Sequence, residues 1–409
     1  LTLDVAGVSA ALVWTGATNS NWSTNATDEN WNNLTTPDPQ DRFFNSDTVT
    51  FADLPAPGPV TVNLAGAVSP GQVIINNSSA GTTYTLDSEG GNISGVTGLL
   101  KQGSGTAALT GFANDFTGGV QINGGMLVAE FLANAGTACS LGAGTSLTIN
   151  GGGFTIDDVI DNSTNRSLSI GSSGATLAVA NPGLALNMTG AVSGDGNLNI
   201  GGAGRVVLSG SNSHVGTTSV QSSGTLEIAG TTALGTGAYT VDGSLAINRT
   251  AATSISQGIG GTGSLIKQNT SLLTLPTANT YGGGTSVTNG AILLQNPAAL
   301  GTGAVSHGGG QVRFSFGDGT TSTIGNDFSL NSTGHQTFVI RGTADAAPAL
   351  PTIVRLTGKI SGGAAGQTYR LVDSGTSGNH NNVLELQNAA NDFQGTLELW
   401  RGSIGITSD

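Results

Sequence analysis

Cysteine is almost absent: Cys139 is the single one in 409 residues. An intramolecular disulfide and a thiolate metal cage are therefore excluded. Charge is scarce as well, at 9% of residues against a usual ~25%. The 12 basic residues are outnumbered by 25 acidic ones, for a net charge of −13. Phosphate binding needs a basic stripe, so nucleic acid is not an expected partner. No apolar run approaches the ~20 residues of a membrane helix, so no membrane span is expected. A chain this polar would stay disordered if its apolar residues were scattered, but they make up 37% and fall in short alternating runs. With 66 glycines to turn corners, the chain reads as folded and all-β.

Four segments superpose at several positions at once: Leu109 to Leu127, Leu208 to Leu226, Leu275 to Ile292 and Leu386 to Ile404. In each, an Asn is followed two positions later by a ring: Asn114 and Phe116, Asn212 and His214, Asn279 and Tyr281, Asn391 and Phe393. Next comes a Gly (Gly118, Gly216, Gly283, Gly395), and later a second (Gly125, Gly224, Gly290, Gly402) two residues before the final apolar position. The unit reads as strand, turn, strand, turn, strand, with Asn and Gly supplying positive φ at the corners. It cannot bury its apolar face alone. Stacking copies ~4.8 Å apart buries a continuous core, which is the logic of a β-solenoid. The leading and final apolar residues of the four segments are expected to point inward, and the Asn positions to form amide ladders along the axis. At ~20 to 25 residues per coil, roughly 16 to 20 coils are expected.

The strings Gly98-Leu99-Leu100-Lys101-Gln102-Gly103-Ser104-Gly105 with Phe116-Thr117-Gly118-Gly119, and Gly263-Ser264-Leu265-Ile266-Lys267 with Asn279-Thr280-Tyr281-Gly282-Gly283-Gly284-Thr285, resemble the autotransporter-associated β-strand repeat, also called the passenger-associated transport repeat. The motif's tail returns as Ala233-Leu234-Gly235-Thr236-Gly237 and Ala299-Leu300-Gly301-Thr302-Gly303. The resemblance covers about half the chain. It implies a right-handed parallel β-helix exported to the bacterial cell surface or the medium, and it brings no catalytic residues with it. The chain starts at Leu1, as a processed exported chain would, and stops at Gly405-Ile406-Thr407-Ser408-Asp409 without the alternating ~10-residue strands of a membrane barrel. The barrel-free secreted or surface type is the expectation.

Four regions are expected: an N-terminal extension at 1–13, an aromatic-rich cap at 14–60, the repeat solenoid at 61–310, and a β-rich solenoid region with loop excursions at 311–409. Trp14, Trp22 and Trp31 head the cap. Bulky aromatics cover a terminal coil well; the alternative is a glycan platform for cell-surface or matrix sugars. A cap requires buried indoles and a platform coplanar exposed ones. In the extension, Leu1, Leu3 and Val5 alternate with polar residues, and Val8, Ala10 and Leu12 continue the pattern after Gly7. That is the pattern of a strand able to add to an exposed edge of a second copy, giving a head-to-tail homopolymer. Within 311–409, the segment from Gln311 to Arg370 has a looser register, and Ala344 to Pro351 reads as a loop leaving the stack.

The residues that do not recur show little convergence on a reaction. The best acid cluster is Asp157, Asp158 and Asp161. Neighbours along a strand face opposite ways, so Asp157 and Asp158 serve one substrate only if a turn intervenes. A glycosidase needs two carboxyls ~5 to 9.5 Å apart. Lys101, Lys267 and Lys359 are the only lysines, and the first two already belong to the repeat motif. His214, His307, His335 and His380 are far apart and read as corner or surface residues. No metal site, cofactor or catalytic residue is assigned. The expected protein is an extracellular structural or adhesive surface rod; the alternative is a carbohydrate-binding or polysaccharide-cleaving β-helix module.

Overall fold

The computed structural model describes residues 9–230, 235–317, 319–331, 336–341, 351–374 and 381–406. Among them no helix occurs, and the strands form a parallel β-solenoid of about 15 turns. The count falls just below the expected range because coils lengthen late in the chain. The register step from Leu265 to Thr285 to Val305 is short, whereas the step from Phe328 to Ile360 takes in an excursion. The chain divides into two compact units, Leu1–Thr217 with Thr232–Thr236, and Thr218–Thr231 with Gly237–Asp409.

In the first unit, alternation along each strand places one residue type inward, and in-register stacking turns that into columns. One column runs Leu12, Val49, Val73, Leu99, Val120, Leu147, Leu168 and Val192, all buried. A second runs Tyr84, Ala107, Leu127, Phe154, Leu177 and Ile200. All six are buried, with the small Ala107 set beside the large Tyr84. Each aliphatic residue so buried contributes on the order of 1.5 to 3 kcal/mol.

The second unit repeats the scheme. One column runs Leu226, Leu245, Leu265, Thr285, Val305, Phe328 and Ile360, and another runs Leu273, Ile292, Val312, Phe338 and Leu371. Gly310–Phe314, inside the region of looser register, lies parallel between Ala291–Leu294 and Gln336–Ile340. The solenoid therefore includes the described strands between 311 and 373. Of the expected loop 344–351, only Pro351 lies within the described residues. Of the eight apolar positions drawn from the repeats, seven are buried; Ile404, on the terminal strand Ser403–Ile406, is only half-buried.

At the start of the first unit the pattern changes. Ala11–Trp14 pairs parallel with Thr48–Ala52 on one side and antiparallel with Trp31–Asn33 on the other, and Trp31–Asn33 pairs antiparallel with Asp38–Asp41. Trp14 and Trp31 meet edge to face at 5.0 Å, Trp22 and Phe43 at 5.6 Å, and Phe51 passes the cluster on to Tyr84 at 5.3 Å. These rings plug the first coil.

Candidate functional site

Trp14, Trp22 and Trp31 are buried, at 1%, 0% and 0% exposure. The glycan-platform expectation is corrected: the three indoles are crossed edge-to-face inside the plug, so no sugar ring can stack on them. The cap, the reading preferred from sequence, has the buried indoles it requires.

The proposed donor strand is split by the structure. Leu1, Leu3, Val5 and Val8 lie outside the described residues. Ala10 donates its N–H to Asp47 Oδ1 at 2.7 Å, and Leu12 is buried at the head of the first column. Both edges of Ala11–Trp14 are occupied within the same chain, and that strand crosses the boundary expected between residues 13 and 14. Residues 10–13 of the expected donor strand are therefore already paired within the chain.

The repeat's recurring residues serve the stack. Asn114 accepts from Ile93 N at 2.9 Å and donates to Ser140 O at 3.1 Å; Asn279 accepts from Ile259 N at 2.8 Å and donates to Ala299 O at 2.7 Å; Asn391 accepts from Ile360 N at 2.7 Å. Each is a clasp between side chain and backbone of neighbouring coils. The expected amide ladder is thus replaced at these positions, because equivalent Asn residues recur several coils apart and the nearer partner is backbone. The following ring, Phe116 or Tyr281, is buried. A glycine of the next coil packs on it: Gly142 at φ +69° against Phe116, and Gly301 at φ +65° against Tyr281. The Leu-Gly-Thr-Gly tail is explained by that contact, which spacing alone did not reveal.

Lys101 occupies an inward column between Ile75 and Ile122, and Lys267 one between Ile247 and Val287. Each turns its ammonium onto carbonyls at the strand end, Lys101 onto Gln102 O at 2.7 Å and Gly103 O at 3.2 Å, Lys267 onto Gln268 O and onto Asn269 O at 2.8 Å. Burial pushes both pKa values down to about 8. His307 also faces inward, between Val287 and Leu330, with its ring 5.2 Å from Phe338. It is neither a corner nor a surface residue, and burial pushes its pKa down to about 4. His214 is buried too, with its pKa lowered for the same reason; His335 and His380 lie outside the described residues.

The three acids of 157–161 sit at a corner, and each is tied to a turn. Asp157 Oδ1 accepts from Asn181 Nδ2 at 3.0 Å, Asp158 accepts from Val159 N at 2.6 Å and Asn162 Nδ2 at 2.8 Å, and Asp161 Oδ1 accepts from Ala185 N at 2.8 Å. Asp158 is buried while its two companions are exposed. Their positions are accounted for by closing this corner.

Comparison with known proteins bears on this geometry. The passenger-associated-transport-repeat family matches residues 99–129, 201–228 and 265–294. Those segments contain the first three expected copies; Leu386 to Ile404 lies outside them. A relative, the adhesin BmaC autotransporter of Brucella suis biovar 1 (strain 1330), is 35% identical over 127 residues, which is 30% of this chain and 4% of that protein. The chain thus spans only a small part of that relative's length. No solved structure matches the chain. Two of the matched segments hold the residues that clasp coil to coil, Lys101, Asn114 and Phe116 in one and Lys267, Asn279 and Tyr281 in the other, and the chain is a β-solenoid with three segments that match the passenger-associated transport repeat.

Proposed function

We propose that this chain is the displayed part of a surface or secreted protein with a non-enzymatic, adhesive or structural role. The observation that carries the reading is the division of labour among residues. The recurring Asn, Lys, ring and Gly positions are consumed by coil stacking, which leaves the corner loops free to vary and to make contacts. Similarity to part of an adhesin supports it. Antibody raised against the purified chain should label intact, unpermeabilised cells of the source organism or its culture medium, and beads coated with the chain should adhere to host cells or matrix above beads coated with albumin. Label confined to permeabilised cells would sink the reading.

A second reading, polymerisation by strand addition, rests on the end of the second unit. Among the described residues, Ser403–Ile406 is the last strand of its sheet, and Leu399, Trp400 and Ile406 are 44%, 57% and 75% exposed. Segment 1–8 of a second copy would be the donor. Light scattering on the intact chain and on one lacking residues 1–8 tests this: monodisperse monomers from both, at high concentration, would remove the mechanism.

A further inference from the structure

Exposed large apolar side chains occur at several places in the first unit, and at one corner they recur in successive coils. Phe112 is 56% exposed and meets the half-buried Phe131 of the next coil edge to face at 5.3 Å. In the coil after that, the turn Asp158–Asn162 lifts Val159 and Ile160 out to 86% and 56% exposure. The three turns are locked together. Gly111 N donates to Glu130 Oε2 at 2.8 Å, and Leu132 N donates to Asn162 Oδ1 at 2.6 Å. The apolar groups thus form a strip across three successive coils, held by hydrogen bonds that place them outside the core. Nothing in the stack needs them there, since the inward columns are complete without them.

The charge around the strip has one sign. Glu130, Asp157 and Asp161 border it, and Glu89 lies in the turn directly beneath Gly111. Between residues 43 and 204 the sequence has ten carboxylates and two cations, Lys101 and Arg166. Both cations are buried, and both are held by backbone carbonyls, Arg166 by Gly144 O at 2.6 Å and Gly142 O at 2.5 Å. No cation of this stretch therefore reaches the surface; the nearest exposed one in sequence, Arg205, pairs in register with Ala185, one coil beyond Asp161, which leaves Glu89, Glu130 and Asp157 as the acidic border on the Phe112 side. Apolar side chains rimmed mainly by carboxylates fit a partner with the opposite rim.

We propose that the strip of Phe112, Phe131, Val159 and Ile160 is a docking surface for a basic amphipathic polypeptide, one that presents apolar side chains between lysines or arginines. The apolar strip supplies affinity by area removed from water, and the carboxylates orient the partner and exclude acidic ones. This deepens the adhesive reading and rests on it for biological meaning, though the binding itself does not.

The probe is a fluorescein-labelled synthetic peptide of alternating Leu and Lys, followed by fluorescence anisotropy with the full chain. A Lys-Ser peptide is the charge-only control and a Leu-Glu peptide the apolar-only control. The Leu-Lys peptide should bind, with both controls at least tenfold weaker. F112S with V159S should weaken binding tenfold or more. D157N with D161N, which keep a side-chain oxygen for Asn181 and Ala185, should weaken it similarly and flatten its salt dependence. D195N, away from the strip, should change nothing, and circular dichroism should show each variant folded. Equal binding of the Lys-Ser peptide, or unchanged binding by the folded F112S/V159S chain, would overturn the proposal. Bead adhesion run in parallel separates the two claims: adhesion that survives F112S/V159S while peptide binding is lost leaves the docking surface standing and removes it from the adhesive role.

Discussion

Asn279 reaches back one coil to accept the backbone N–H of Ile259 at 2.8 Å, and forward one coil to donate to Ala299 O at 2.7 Å. One buried side chain thereby joins three levels of the solenoid. Ile259 heads the edge strand Ile259–Gly260 and Ala299 stands in a turn, so the side chain supplies partners that the sheet ladder does not.

Removing that clasp should be costly. Asn279→Ala strands a buried N–H and weakens the support of a carbonyl, with an expected loss of about 1 to 3 kcal/mol. Asn279→Asp keeps the acceptor but loses the donor and adds a buried charge, so it should be no better. Urea denaturation monitored by circular dichroism is the measurement; an unchanged midpoint for both variants would show that the clasp is incidental.

The columns make a sharper demand. Leu226 is fully buried and stacks on Leu245. Leu226→Asp inserts an unpaired carboxylate there and should cost several kcal/mol, lowering the melting temperature by many degrees or preventing folding. A wild-type melting curve would disprove the register.

Gly301 combines a left-handed φ of +65° with close neighbours, since a Cβ there would lie 2.3 Å from the Tyr281 carbonyl oxygen and 3.1 Å from its ring. Gly301→Val should therefore destabilise by about 1 to 3 kcal/mol from backbone strain, with steric conflict added. Gly258, where a Cβ would meet nothing within 4 Å and φ is not left-handed, is the matched control and should tolerate Ala.

Acid should weaken the second unit through His307. Its folded pKa of about 4 lies below the ordinary ~6.5, so the unfolded chain binds more protons between those values. The stability is present above pH 6.5 and is lost as pH falls toward 4, by up to about 3 kcal/mol. His307→Leu should remove that slope. The lysines act in the opposite range: with folded values of about 8 against an ordinary ~10.5, Lys101 and Lys267 hold fewer protons folded than unfolded there, so their contribution rises from pH 8 to 10.5. Melting curves from pH 4 to 10.5 on the wild type and the His307→Leu and Lys101→Met variants would show both trends or their absence.

How much of this was legible beforehand differs by residue. Leu109, Leu127, Leu226 and Ile292 could be placed inside from sequence because strand alternation has a fixed period of two, and stacking repeats that choice at every coil. The Asn and ring positions could be located by their spacing, but not their partners, which stand a full coil away in the backbone. Trp14, Trp22 and Trp31 read as a cap because a solenoid must cover its end, with a sugar platform as the alternative; that the indoles are buried was decided by the packing of the first coil. His307 and Lys267 looked like surface and motif residues and proved to face the interior, since a polar residue in an inward column breaks the local pattern without announcing which way it points. The exposed strip at Phe112 and Val159 lay hidden for the converse reason: its residues are distant along the chain and meet only when three corners stack. The sequence by itself determined the parallel solenoid, its repeat and its inward columns, because these follow from local periodicity. Which corner groups are satisfied, which rings are buried and which apolar side chains reach solvent were decided only by the tertiary structure, because each depends on what the neighbouring coil places opposite.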